Sequence, residues 1–207
     1  MQDQYVADVG DFGKYGLLRA LIGLFPVGIP RLQLGVVWYL TPNDGSSHGG
    51  HRGYLAPGNA KRFRPCDPEL RDALARISTS ERSVAAVERS GALPPDAVYA
   101  NEMTPPGAAR RGWAHAAFRA VADCDLVFVD PDNGLAPRSV GPLSSRAPKY
   151  VLLDEVQRGL GTHQSLVAYH HLDRSGPATE QAQRHLTTLR AAFPDHAELC
   201  RGGDPVR

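Results

Sequence analysis

Apolar residues in this chain fall into two patterns: short unbroken runs, and longer segments in which they recur every three or four positions. Leu34-Gly35-Val36-Val37-Trp38-Tyr39-Leu40 and Leu126-Val127-Phe128-Val129 are unbroken runs, which read as strands buried on both faces. A short strand is predicted around Ala97-Val98-Tyr99 and another over Ser165–Leu172, while Lys149–Val156 reads either as a strand or as the start of a helix. The helical period predicts a helix over Phe12–Phe25, capped by Asp11 and stopped by Pro26, with Leu17, Leu21, Leu24 and Phe25 on its packing face. Leu70, Leu74, Ile77, Val84 and Val87 fit two short helices broken near Ser78-Thr79-Ser80. Ala108–Val121 and Ala178–Phe193 read as helices, the second packing through Leu186, Leu189 and Phe193. The Pro-, Gly- and Ser-rich stretch Leu135–Pro148 is long enough for an active-site flap, and Ala197–Arg201 reads as the start of a last strand.

Strands alternating with helices predict an α/β fold, a Rossmann-like three-layer sandwich with a mainly parallel sheet and right-handed crossovers. At 207 residues the chain suits one α/β domain spanning 1–207. Parallel strands share one carboxyl edge, where open α/β sheets bind their ligands. That edge would gather Thr41 to Gly45, Asn101-Glu102, Asp130 to Asn133 and His170-His171 in one cleft.

Composition narrows the class. Hydrophobic residues at 42% and charged residues at 22% give no case for disorder, and a net charge of +1 excludes a protein that holds nucleic acid by bulk positive charge. Cys66, Cys124 and Cys200 form no Cys-x-x-Cys pair and read as reduced thiols of an intracellular protein. Met1 to Gly10 lacks the pattern of a signal peptide, and no apolar run approaches the roughly 20 residues that span a bilayer, so a cytoplasmic protein without membrane contact is expected.

The chemistry-bearing residues cluster at element ends. The strand Leu126–Val129 runs into Asp130-Pro131-Asp132-Asn133-Gly134, two carboxylates and an amide on a turn-forming frame. Asp8, Asp11 and Lys14 surround glycines at a helix start, a composition that lets backbone approach a ligand closely. The loop Thr41–Gly53 could cradle a nucleoside or phosphate, although it matches neither Gly-x-Gly-x-x-Gly nor the P-loop. His48 and His51 are three apart with no third metal ligand nearby, and Lys61-Arg62-Phe63-Arg64 reads as a solvated basic run.

Four of these features, the Asp11-Phe12-Gly13-Lys14-Tyr15 start, the strand into Tyr39-Leu40-Thr41, the strand into Asp130-Pro131-Asp132-Asn133 and the later Leu166-Val167-Ala168-Tyr169 strand, stand in the order found in class I S-adenosylmethionine-dependent methyltransferases. Within that superfamily the chain distantly resembles the bacterial ribosomal RNA adenine-N6 methyltransferases, which open with an Asp-x-x-Lys-His helix and carry Asp-Pro-Pro-Tyr. It is also similar to a bacterial family sharing Gly-Asp-Phe-Gly-Lys-Tyr and Asp-Pro-Asp-Asn-Gly, whose activity the resemblance does not supply. The resemblance implies S-adenosylmethionine as cofactor and a nucleic acid or nucleotide-like substrate. It places Lys14 near the cofactor's carboxylate, the turn holding Thr41, Asn43 and Asp44 under its methionine part, Asn101 or Glu102 near its adenine, and Asp11 beside the site. Asp130 would bind the target amine and with Asn133 align it, and Asp132 and Lys14 complete the candidate catalytic set. The chain has no Gly-x-Gly turn after its first strand and no aromatic after Asp130-Pro131.

Two other readings remain open. Asp130, Asp132 and Glu155 are oxygen ligands of the kind that hold Mg²⁺ or Mn²⁺ in a nuclease or phosphohydrolase, with Lys14, His170 or His171 supplying charge or a proton. A non-catalytic binding subunit would keep the fold without the chemistry.

Overall fold

The computed structural model describes residues 1–24, 31–46, 49–172 and 176–194. The chain runs through α1 (Val9–Leu21), β1 (Leu34–Trp38), α2 (Ala60–Phe63), α3 (Pro68–Thr79), α4 (Val84–Arg89), β2 (Val98–Ala100) and α5 (Ala109–Ala120). It continues through β3 (Leu126–Asp130), β4 (Gly134–Leu135), β5 (Tyr150–Val151), α6 (Leu153–Gly159), β6 (Ser165–Ala168) and α7 (Ala178–Ala192). Four of the strands form one parallel sheet in the order β2-β1-β3-β6, and β4 and β5 form a small parallel pair beyond it.

Every residue of β1 and β3 is buried, as unbroken apolar runs require, because the pleat sends successive side chains to opposite faces and both faces are covered. Val36, Trp38, Leu126 and Phe128 join Tyr15, Leu18, Leu70, Leu74, Val84 and Val87 on the side of α1, α3 and α4. Val37, Val127 and Val129 join Phe118, Val121, Val151 and Val156 on the side of α5 and α6, with Leu189 and Phe193 of the α7 region packed against them. The result is the expected helix–sheet–helix sandwich around a parallel sheet.

Two details differ from the sequence reading. The first helix begins three residues earlier, because Asp8 and not Asp11 is its cap: the Asp8 carboxylate accepts from Gly10 N, while Asp11 turns inward. Its packing face differs accordingly. Leu17 and Leu21 are 53% and 46% exposed, and Tyr15, Leu18 and Ile22 fill the core instead. Lys149–Val156 combines both alternatives, a two-residue strand followed by a helix. The expectations for Phe25, Pro26, His48, Cys200 and Ala197–Arg201 lie outside the described residues. Among the described residues no helix is long and apolar enough to cross a membrane.

Candidate functional site

Chain connections leave β1 toward β2 on one side and return to β3 on the other, so the switch point of the sheet lies between β1 and β3, where a crevice opens beyond the carboxyl ends. Trp38 of β1 stands beside Asp130 of β3 in register, which brings the Tyr39–Thr41 turn against the Asp130–Asn133 turn. A cavity of about 360 Å³ sits here, at the small end of the range for ligand pockets. Its walls include Asp8, Asp11, Lys14, Asp130, Asp132, Asn133, Tyr169 and His171, together with Met1, Tyr5, Gly49 and His51.

Lys14 is the centre of one wall. Its ammonium lies 2.9 Å from Asp11 Oδ1 and 2.8 and 3.1 Å from the two oxygens of Asp130, with side chains only 9%, 2% and 1% exposed respectively. Burial alone would lower the Lys14 pKa, but the two carboxylates outweigh it and the net shift is upward. The same burial pushes the Asp11 carboxyl up, with Lys14 opposing. Lys14 also lies 4.6 Å from the centre of the Tyr169 ring, and Tyr169 in turn meets His171 edge to face at 4.7 Å. Asp11 Oδ2 accepts from Ala7 N, and Ala7 holds φ of 63°, a left-handed conformation uncommon for a residue with a Cβ. Strained backbone thus sits directly under the Lys14 pair.

Asp132 is the centre of the other wall. Thr41 Oγ1 donates to its Oδ2 at 2.7 Å and Gln2 Nε2 at 2.9 Å, while the Met1 α-ammonium approaches Oδ1 at 2.9 Å. Burial raises the Asp132 pKa, but the ammonium, the hydroxyl and the amide together bring it below the ordinary value. The Met1 ammonium also donates to Tyr39 O at 2.5 Å and Asp130 O at 3.2 Å, so the first residue spans both strand ends. Burial lowers its pKa, against the pull of Asp132 and Asp130. Arg82 holds this segment down by donating to the carbonyls of Gln4, Val6 and Gly49.

The structure brings Lys14, Asp11, Asp130, Asp132 and Asn133 to one cavity with Asp8 and His171; Met1, Tyr5, His51 and Tyr169 also line it, and Gln2 stands behind Asp132. Among the described residues the Asn133 side chain makes no hydrogen bond. His171 has its pKa lowered by burial and by Lys14, with nearby Asp residues opposing, so its imidazole is neutral at pH 7. No helical period or turn motif marks the opening residues as site-forming, because their role arises only from a packing against strands far along the chain.

Other expected site residues lie elsewhere. Thr41 is buried behind Asp132, and Asn43 and Asp44 accept from Gln4, so the loop after β1 is tied to the opening segment. Asn101 donates to Glu88 at 3.2 and 3.3 Å on the outer edge of β2, and Glu102 is exposed beside it, its carbonyl accepting from Trp113. Neither lines the cavity. Glu155, the third member of the expected metal set, is corrected: it is buried on α6 in a two-pronged ion pair with Arg110, at 2.7 and 2.9 Å. Buried carboxylates need compensation, and here protein cations supply it where an ion was expected. Among the described residues no group of three or more His, Cys, Asp or Glu is placed to hold a metal ion. His170 also turns away, its Nδ1 accepting from Leu135 N at 3.0 Å. Comparison with models of known families, with curated proteins and with solved structures returns no match for this chain.

Proposed function

We propose that the chain is a methyl-transfer enzyme that uses S-adenosylmethionine on an amine or hydroxyl of a nucleic acid or nucleotide-like molecule in the cytoplasm. The observation that carries this reading is the charge of the switch-point cavity, whose lining among the described residues sets four carboxylates, Asp8, Asp11, Asp130 and Asp132, against the ammonium groups of Lys14 and Met1, with Lys149 approaching Asp132 at 4.0 Å. A surplus of carboxylates in a partly closed space favours a cationic reactant and disfavours a polyanion. A sulfonium donor fits such a lining: the rings of Tyr5 and Tyr169 border the same space as Asp132, whose Oδ1 is paired among the described residues with the Met1 ammonium at 2.9 Å. Asp8, Asp11 and Asp132 with Tyr169 would then hold the cofactor, in place of the Asn43–Asp44 turn and Asn101-Glu102.

Bound there, S-adenosylmethionine supplies an electrophilic methyl group, and transfer to nitrogen or oxygen depends more on alignment than on acid–base help. The chain's own groups suit that demand. Lys14, its pKa raised by Asp11 and Asp130, stays an ammonium and acts as a fixed charge that does not shuttle a proton. Asn133 offers a free amide to orient the acceptor, and the neutral imidazole of His171 can take the proton that the acceptor loses. Neutral His171 is not needed to activate a metal-bound water, and the nuclease set has lost Glu155 to Arg110.

Isothermal titration of the purified chain with S-adenosylmethionine and S-adenosylhomocysteine tests the proposal. Binding that weakens on Asp132→Asn is expected. An absence of heat at high micromolar ligand would remove methyl transfer and leave a binding subunit on the same fold.

A further inference from the structure

A second cavity, of about 630 Å³, adjoins the first and shares Asn133 and His171 with it. Its character is the reverse of its neighbour's. Among the described residues its lining contains no carboxylate, and it contains Arg138, three histidines (His170, His171, His185) and the side chains of Leu135, Tyr150 and Leu153. The rings of His170 and His185 lie 3.8 Å apart at 55°, which closes the cavity against α7. Arg138 is exposed and makes no hydrogen bond or ion pair among the described residues, leaving a guanidinium fork free for an oxyanion. The Thr187 and Thr188 hydroxyls donate to helix carbonyls, so the anion-binding donor here is Arg138.

Two cavities of opposite charge meeting at one amide and one imidazole suit a donor and an acceptor of opposite charge. We propose that the larger cavity is the acceptor site and that it takes a nucleotide, its phosphate on Arg138, its flat base against Leu135, Tyr150 and Leu153, and its reacting amine or hydroxyl directed to Asn133 and His171. The placement of the reacting end rests on the methyl-transfer reading. The recognition of a phosphate-bearing ligand does not. A charge-assisted contact of this kind contributes a factor of about ten or more to affinity.

The test is a binding series on the full chain without cofactor, using the four ribonucleoside 5′-monophosphates, the matching nucleosides, inorganic phosphate and acetate. At least one monophosphate should bind about tenfold or more tightly than its nucleoside, and Arg138→Gln should erase that preference while leaving nucleoside affinity and thermal stability unchanged. Inorganic phosphate should compete with the monophosphate and acetate should not. Equal affinity for monophosphate and nucleoside, no binding by any of them, or a preference that survives Arg138→Gln overturns the proposal. Acetate competing as well as phosphate overturns the assignment to a phosphate. Monophosphate binding without any response to S-adenosylmethionine would uphold the nucleotide site and sink methyl transfer, so the two failures are told apart.

Discussion

Replacing Lys14 by Met keeps the length of the side chain and removes its charge, leaving Asp11 and Asp130 buried without a cation. Both carboxylates are at most 2% exposed, and both rely on the same ammonium at 2.8 to 2.9 Å. Breaking a buried pair by removing one partner costs about 3–5 kcal/mol, here with two carboxylates stranded, so the upper half of that range is expected at neutral pH. For a chain of this size about 1 kcal/mol moves the melting temperature by about 2–4 °C, giving a fall of about 8–20 °C. The sign of the pH dependence follows from the stranded carboxyls. Burial and mutual repulsion raise their folded pKa values, so the folded variant binds more protons than its unfolded chain. Its stability therefore recovers as pH falls through those raised values, and the recovery is complete only below the ordinary carboxyl pKa of about 4. Thermal unfolding at pH 7.5 and pH 5 reads both effects, and Lys14→Met/Asp130→Asn should lose less than the two single changes added together. A Lys14→Met variant within about 1 kcal/mol of the parent at pH 7.5, or one whose deficit deepens in acid, would refute the reasoning.

Three further outcomes are expected. Gly134 holds φ of 97°, and a Cβ there would lie 2.2 Å from His170 Nδ1 and 2.7 Å from His170 Cα, so Gly134→Ala should cost about 3 kcal/mol or more in chemical denaturation; a change under about 1 kcal/mol would show the loop yields freely. Glu155→Gln should lower stability by about 3–5 kcal/mol by stranding Arg110, yet leave ligand affinity at the switch-point cavity unchanged; a selective loss of ligand affinity at full stability would restore Glu155 to the site. His171, assigned in NMR by comparison with His171→Asn, should titrate below its ordinary 6.5 because burial disfavours the imidazolium, so at this position the folded state holds fewer protons and stability rises with pH through that window. A midpoint above 7 would leave the imidazole mostly charged and remove His171 as the proton acceptor at pH 7.

The sheet was legible because β1 carries no polar position and β3 carries only Asp130 at its end, and the order of the strand ends followed from alternation with helices. Asp130, Asp132 and Asn133 were found because they end β3 or follow it directly, and Lys14 because the glycines around it stood out in the first helix, although α1 begins at Val9 and Lys14 lies inside it. The face of α1 was misread, since Leu17 and Leu21 share a helical stripe that a period alone marks as core, whereas the sheet meets the stripe of Tyr15, Leu18 and Ile22. Glu155 was misassigned because spacing along the chain says nothing about Arg110, which reaches it from α5, 45 residues away. Asn101 and Glu102 do end a strand, but β2 is the outer strand, one position from the switch point, and its end faces Glu88 rather than the crevice.

The contact between Met1 N and Asp130 O joins residues 129 apart in sequence. Neither cavity wall is therefore complete in any partial chain that ends before β3, and during synthesis the opening segment must wait, undocked, until most of the protein has emerged. Loop closure of that span is slow relative to helix formation, which makes docking of the first residues a late event in folding. Ligand binding at the switch point would then report on completion of the whole fold, and a chain that has lost its opening segment would keep a recognisable sheet while offering no site.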